Sequence, residues 1–228
     1  MAMDLGCVEF ATPGKTLEEK LRILEFHGMW LELANDGKRR AEDIIKIQRS
    51  FKTPIKSVQA YRQHEISILS ADAGEREAAI RHVEESIELA SAIEAQNVVA
   101  VITYGAPGID NPRKACVELL RCFGKLGEDL GVTVSIEPLG RARTSFLPSA
   151  YDVLQLIREV ESEHVRLMVD TMHIYLNGQD PAKIIDELVT EISEVQLRDT
   201  DSKPPGRGKI DFGRVLKVIH GSLVVWCV

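Results

Sequence analysis

The sequence lacks a long hydrophobic run, and this absence narrows the kinds of protein that it can encode. No apolar stretch among its 228 residues reaches the length of about 20 residues that a transmembrane helix needs. The first twenty residues, MAMDLGCVEFATPGKTLEEK, also lack the basic segment, apolar stretch and small-residue cleavage site of a secretory signal. We therefore expect a cytoplasmic protein that does not act at a membrane.

Positive charge is scarce relative to negative charge. The chain has 28 Lys and Arg residues against 35 Asp and Glu residues, a net charge of −7 at pH 7 and a pI of about 5.5. Most non-specific affinity for nucleic acid comes from neutralising phosphates with a basic surface. Nucleic acid is therefore not expected as a partner.

Several other motifs are missing. The four cysteines have no CxxC spacing, so they fit small buried hydrophobic residues better than a disulfide or zinc framework; they are Cys7, Cys116, Cys122 and Cys227. No GxGxxG motif follows the first apolar run, so the dinucleotide-binding fingerprint is absent as well. Because no linker rich in Pro, Gly or Ser divides the chain, residues 1–228 are expected to form a single domain.

What the sequence does contain is a regular alternation of β-type apolar runs and helical periodicity. The predicted strands cover residues 5–11, 29–34, 55–61, 97–105, 132–139, 165–171, 193–200 and 222–228. The predicted helices between them cover residues 16–27, 38–51, 75–95, 112–131, 148–163, 180–192 and 211–220. Eight strands with intervening helices favour a closed, parallel (β/α)8 barrel of the α/β class over an open sheet.

Polar side chains interrupt three of the apolar runs near their ends. Glu137 ends the fifth strand, Asp170 the sixth with His173 just beyond, and Gln196 and Asp199 the seventh. In such a barrel the carboxyl ends of the strands meet at the active-site face. Each residue alone is more simply explained as a cap or an ion-pair partner. Together, their oxygen and nitrogen donors predict a site for Mn²⁺ or Mg²⁺, with Zn²⁺ or Co²⁺ less favoured.

Three motifs carry a resemblance to a known family. SIEPLG, LMVDTMHIYLNG and EVQLRDTDSKPPGRGKIDFGRVL, in this order and spacing, resemble the xylose isomerase-like TIM-barrel superfamily of sugar isomerases and epimerases, which also contains endonuclease IV. The resemblance implies that Glu137, Asp170 and Gln196 bind the metal and that Glu137 is also an acid/base catalyst. For His173 it implies either contact with a substrate oxygen, as in the sugar-converting members, or metal ligation, as in endonuclease IV.

The chain departs from the family pattern in two places. The second metal-binding Glu, at the end of the eighth strand, has no counterpart in SLVVWCV, so we expect a short or altered last strand. Ser202 stands where the family has an arginine after the seventh strand, and Lys203, Arg198 or Arg207 could supply that charge instead. An epimerase that moves protons across two faces of its substrate would be compromised by the missing Glu.

These residues predict a metal-dependent isomerase or epimerase of a small sugar, sugar phosphate or related hydroxy-carbonyl compound, which transfers a proton through a metal-stabilised enediolate. The alternative of a different class is a catalytically impaired barrel that binds sugar or metal without turnover. Endonuclease IV-like DNA repair ranks lower, because it needs further histidines at the ends of the early strands, and the chain is acidic.

Further residues have less specific assignments. Glu32 on the second strand is a candidate for binding a substrate hydroxyl, and a salt bridge to a neighbouring strand explains it equally well. Lys203 and Arg207, in the turn SKPPGRGK, are candidate substrate contacts that could hold a phosphate. Trp30 and Trp226 are expected to pack in the interior. No role is assigned to His27, His82, His164 or His220, and the sequence does not decide between a monomer and a homo-oligomer.

Overall fold

A computed structural model describes residues 4–219 and 225–227. For Arg62 and for residues 225–227 it describes the backbone only. Its eight strands are β1 (Leu5–Val8), β2 (Trp30–Asn35), β3 (Ile55–Ala60), β4 (Asn97–Ala100), β5 (Thr133–Ile136), β6 (Val165–Asp170), β7 (Ile192–Gln196) and β8 (Val225–Cys227). All neighbouring pairs are parallel, and β8 pairs with both β7 and β1, which closes the barrel. The predicted (β/α)8 barrel is confirmed, and its last strand is short, with three residues.

The helices form the outer layer of the barrel. They are α1 (Leu17–His27), α2 (Ala41–Gln48), α3 (Ala73–Ala92), α4 (Pro112–Leu130), α5 (Ala150–Val160), α6 (Thr171–Leu176), α7 (Pro181–Leu188) and α8 (Phe212–Ile219). Several begin at a side chain that accepts a backbone N–H, as Thr16 does before α1 and Ser149 does before α5. Helical periodicity predicts seven of these helices but not α6, whose six residues make less than two turns.

The strands are shorter than the apolar runs that predict them. The fourth run extends to Gly105, whereas β4 ends at Ala100. Ile102 beyond the end of β4 and Leu139 beyond β5 remain buried after strand pairing has stopped. An apolar run indicates that residues are buried, not that they pair with a neighbouring strand. The predicted strands therefore include loop residues at the mouth of the barrel.

The barrel interior contains a network of polar side chains. Asn97 on β4 donates from Nδ2 to Glu194 Oε2 on β7 (2.7 Å) and to Ser57 Oγ on β3 (3.1 Å). Ser135 on β5 donates to Asn97 Oδ1 at 2.5 Å. Because β4 and β7 are not neighbours, the bond between Asn97 and Glu194 crosses the inside of the barrel. These groups therefore satisfy most of one another's hydrogen-bonding capacity beneath the mouth, with Glu194 Oε1 left without a hydrogen-bond partner among the described residues.

Only some of the tryptophan and cysteine side chains that are expected to be buried are buried. Trp30 is buried next to Gly6, where an added Cβ would lie 2.2 Å from the indole. Cys116 is buried, which raises the pKa of its thiol to about 12, whereas Cys122 is exposed and the expectation of burial is wrong for it. The expectations for the Trp226 and Cys227 side chains and for His220 fall outside the described residues. No described helix is long and apolar enough to span a bilayer.

Candidate active site

Four of the predicted site residues meet at the carboxyl ends of β5 to β7. Glu137 directly follows β5, Asp170 ends β6, and Gln196 ends β7 as the parallel partner of Asp170. Asp170 is also the N-cap of α6, since its Oδ1 accepts hydrogen bonds from the backbone N–H groups of Met172 (2.7 Å) and His173 (3.4 Å). This cap fixes the carboxylate and brings His173, in the first turn of α6, to the same place.

Glu137, Asp170 and His173 form a compact group of potential metal ligands. Each offers one ligand atom, and these three atoms lie within 4.8 Å of one another. The distance from His173 Nε2 to Glu137 Oε1 is 3.6 Å, and all three side chains are buried. The group therefore contains the predicted ligands Glu137 and Asp170 together with His173, and the third predicted ligand, Gln196, lines the same cavity as Glu137 and His173.

Burial controls the protonation of this group. It raises the pKa of Glu137 to about 8, and the negative charge of Asp170 adds to the rise, whereas the Arg198 and Arg143 guanidinium groups oppose it. Burial also lowers the pKa of His173 to about 4. At neutral pH the imidazole is therefore uncharged, which is the form that contacts a metal or a substrate hydroxyl.

Arg198 lies against this group. Its guanidinium contacts Asp170 Oδ2 and lies 3.2 Å from His173 Nε2. The contact with Asp170 lacks hydrogen-bond geometry, so this fully buried oxygen has no hydrogen-bond donor among the described residues. Apart from its ion pair with Arg198, this oxygen lies beside a second carboxyl group and a neutral imidazole, and such a donor set suits a divalent cation.

A hydrogen bond to Glu32 fixes the orientation of the Gln196 side-chain amide. Gln196 donates from Nε2 to Glu32 Oε1 at 2.9 Å, which leaves its carbonyl oxygen for the cavity that Gln196 lines. Ser57 donates to the other oxygen of Glu32 at 3.2 Å. Glu32 is thus a buried acceptor in the polar network rather than a partner in an ion pair.

Glu32 also lies beside Glu194. Burial raises the pKa of Glu32 well above its usual value, and the charge of Glu194 raises it further. Burial raises the pKa of Glu194 as well. Sequence reasoning missed Glu194, although its position two residues before Gln196 places both side chains on the same face of β7.

A cavity of about 450 Å³ opens above these residues. Glu137, His173, Gln196 and Arg198 line it, together with Arg143 from the loop after β5. Its rim is aromatic, because the rings of Phe10 and Tyr61 lie 5.6 Å apart and Tyr104 also lines the cavity. Sequence reasoning missed Arg143, which lies outside every predicted element. It also missed the three aromatic residues, because they stand at the ends of the predicted strands 5–11, 55–61 and 97–105 and are indistinguishable there from the apolar runs.

The other predicted residues lie outside this cavity. Asp199 is buried, and its carboxylate accepts hydrogen bonds from the N–H groups of Thr200 (2.7 Å), Gly208 (2.7 Å) and Ile210 (3.1 Å). Its role is to hold the loop after β7. Lys203 is exposed and pairs with Asp201 at 3.3 Å, and Arg207 is exposed; neither lines the cavity. Substrate contact by these two residues stays a prediction.

Comparisons with known proteins identify the family and the fold of the chain. A family model described as xylose isomerase-like TIM barrel matches residues 13–222. D-psicose 3-epimerase of Enterocloster bolteae is 25% identical over 111 residues, which cover 47% of this chain and 37% of that protein. The match therefore spans well under half the length of this curated relative.

Solved structures extend the likeness to nearly the whole chain. The apo structure of 3-keto-D-glucoside 4-epimerase from E. coli has a TM-score of 0.87 at 18% identity and covers 99% of this chain and 91% of that one. The IOLI protein, solved with a bound zinc atom, has a TM-score of 0.81 at 18% identity, with coverages of 99% and 88%. Identities this low establish a shared fold.

Proposed function

Because this chain belongs to the xylose isomerase-like TIM-barrel family, we propose that it is a divalent-metal-dependent isomerase or epimerase of a small sugar or related hydroxy-carbonyl compound. The observation that carries the proposal is the group formed by Glu137, Asp170 and His173, of which Glu137 and His173 line the cavity. The curated relative acts on a sugar, as its name states, and a cavity of about 450 Å³ has room for a molecule of that size.

The positions of the oxygen and nitrogen donor atoms indicate which residues would bind the metal. Glu137 and Asp170 would hold the ion, with His173 Nε2 and Gln196 Oε1 as the nearest further donors. A divalent cation bound there would act as a Lewis acid on the carbonyl oxygen and the adjacent hydroxyl oxygen of the substrate. This would lower the cost of removing the proton from the hydroxyl-bearing carbon next to the carbonyl group. Mn²⁺ or Mg²⁺ suits the oxygen donors, and Zn²⁺ or Co²⁺ suits the histidine.

Glu137 is the residue that we assign to proton transfer. Its carboxylate lines the cavity, where it can reach a substrate carbon, whereas Asp170 does not line this cavity. His173, uncharged, contacts a substrate oxygen from the neighbouring position. The hydrogen bond from Gln196 to Glu32 holds the amide so that its oxygen faces the reacting group.

The residues around the cavity favour proton transfer on one face of the substrate. Among the described residues that line it, Glu137 is the one carboxylate. Moving a proton between adjacent carbons on one face needs a single acid/base group, whereas inverting a carbon needs a second group on the opposite face. Glu137 alone serves isomerisation of an aldose and ketose pair, whereas epimerisation would need a second acid/base group on the opposite face.

Metal analysis combined with a product assay tests this proposal. The wild-type protein should bind about one equivalent of Mn²⁺ and interconvert at least one aldose and ketose pair in a substrate panel. Asp170→Asn keeps an oxygen that can cap α6, so it should fold normally and lose both metal binding and activity. Asp201→Asn, at an exposed carboxylate outside the cavity, is the matched control and should retain both.

Two outcomes would count against the proposal. If the folded wild-type protein takes up no divalent metal, the proposed metal-dependent reaction is wrong. Metal binding without turnover of any sugar would instead support the alternative of a barrel that binds without catalysis. The single-domain organisation of residues 1–228, the cytoplasmic location and the oligomeric state stay predictions.

A further inference from the structure

We propose that the substrate carries an anionic group, a carboxylate or a phosphate, which Arg143 binds at the wall of the cavity. The inference rests on the proposed function and deepens it, because it names the chemical class of the substrate. It starts from a guanidinium group that lines the cavity and has no carboxylate partner among the described residues.

The loop fixes the backbone of Arg143, so its side chain starts from a defined point at the cavity wall. Its N–H donates to Gly140 O at 3.1 Å, and its carbonyl accepts from Gly105 N at 2.9 Å. The next residue, Thr144, forms a bridge with Gly105 and is buried. Two loops, after β4 and after β5, thus hold Arg143 in place while its side chain remains exposed to the cavity.

The charge of Arg143 lies close to the reacting groups. Arg143 lines the same cavity as Glu137 and His173. An anionic substituent bound to Arg143 would therefore lie beside the carbon from which Glu137 removes a proton. This arrangement requires a short substrate or a short spacer between the anion and the carbonyl group.

Charge balance in the cavity favours an anion. The two guanidinium groups of Arg143 and Arg198 face the two carboxyl groups of Glu137 and Asp170. A divalent cation held by Glu137 and Asp170 would add two positive charges. The deeper carboxyl groups of Glu32 and Glu194 do not line the cavity and are hydrogen-bonded within the barrel, to Gln196 and Ser57 and to Asn97. A neutral sugar would leave this excess uncompensated, whereas an anionic substrate reduces it.

Calorimetric titration of the Mn²⁺-loaded protein with two matched pairs of probes tests the inference. Hydroxypyruvate is compared with dihydroxyacetone, and D-ribulose 5-phosphate with D-ribulose. In the wild-type protein at least one charged probe should bind about tenfold or more tightly than its neutral partner, as expected for a charge-assisted hydrogen bond. The pair that gives the larger ratio identifies the anion as a carboxylate or a phosphate.

Two variants assign the preference to Arg143. Arg143→Gln should lower the affinity for the charged probe by about tenfold or more and leave the affinity for the neutral probe unchanged. Arg141→Gln removes the same charge two residues away, where the side chain is exposed and does not line the cavity, so the preference should persist. Because binding is measured directly, the result does not depend on turnover.

The inference is overturned if the wild-type protein binds both members of each pair equally, or binds no charged probe measurably. It is also overturned if the preference survives in Arg143→Gln. A charge preference in a protein that binds metal but converts no substrate would refute the proposed reaction while leaving the anion site supported.

Discussion

At the residue scale, Asp170 connects the fold to the site through its two carboxylate oxygens. Oδ1 caps α6, and Oδ2 is buried without a hydrogen-bond donor among the described residues. A polar residue at the end of an apolar run is visible in the sequence, which is why Glu137, Asp170, His173 and Gln196 could all be selected from it. That one oxygen caps a helix while the other faces the site depends on α6, which the sequence pattern does not predict.

Arg198 competes with a divalent cation for the same carboxylate. Its guanidinium contacts Asp170 Oδ2 and lies near His173 Nε2, so its positive charge opposes a metal ion there. Arg198→Met should therefore lower the dissociation constant for Mn²⁺ by about tenfold, whereas Arg198→Lys, which keeps the charge, should remain close to the wild type. Titration of Mn²⁺ followed by electron paramagnetic resonance measures both. Weaker Mn²⁺ binding by Arg198→Met would mean that Arg198 supports the metal site.

Metal binding should also depend on pH through Glu137. With its pKa raised to about 8, this carboxyl group is mostly protonated at pH 6 and 7 in the metal-free protein, and it must lose the proton to bind a cation. The affinity for Mn²⁺ should therefore rise between pH 6 and 8, by somewhat less than about tenfold per unit, and then level off. His173, with a pKa of about 4, is already neutral throughout this range.

Calorimetry in two buffers of different ionisation enthalpy measures the proton release directly. Binding at pH 7 should release close to one proton per metal ion. An affinity that is constant from pH 6 to 8, with no proton release, would contradict the assignment of Glu137 as a buried, protonated ligand.

At the element scale, the loop after β7 depends on Asp199. The two oxygens of this buried carboxylate accept three backbone N–H groups, from Thr200, Gly208 and Ile210. In Asp199→Asn the amide NH₂ must face at least one of these donors, so the variant should lose about 2 kcal/mol of unfolding free energy. Asp201→Asn, at the exposed neighbour, should change it by less than about 0.5 kcal/mol. Urea unfolding of both variants checks this, and equal stabilities would contradict the role given to Asp199.

Local patterns predict the elements well and their ends less well. All eight strands lie within or close to the predicted runs, because β-type apolar segments bounded by turn residues are strong signals. The runs extend too far at the mouth, since Ile102 and Leu139 are buried without strand pairing. The helix α6 escapes prediction, because its start is set by the cap at Asp170 and not by a repeating apolar face.

At the scale of the whole molecule, closure of the barrel brings together groups that are distant in the sequence. Gln196 reaches Glu32 across 164 positions, and Asn97 reaches Glu194 across 97. The number of alternating strands and helices predicts the fold class. The fold class in turn predicts that the site lies at the carboxyl ends of the strands. Which side chains meet inside the barrel, and the presence of Arg143 in the cavity, depend on register and loop geometry that no local pattern contains.

The central claim is that the site removes a proton from the carbon next to a carbonyl group with the help of a divalent metal. Deuterium incorporation from D₂O, followed by NMR on a panel of small ketoses and hydroxypyruvate, tests it most directly. The Mg²⁺-loaded wild-type protein should exchange a carbon-bound proton of at least one compound, and both removal of the metal and Glu137→Gln should abolish the exchange. A folded, metal-loaded protein that exchanges no proton faster than Mg²⁺ in buffer would contradict the account.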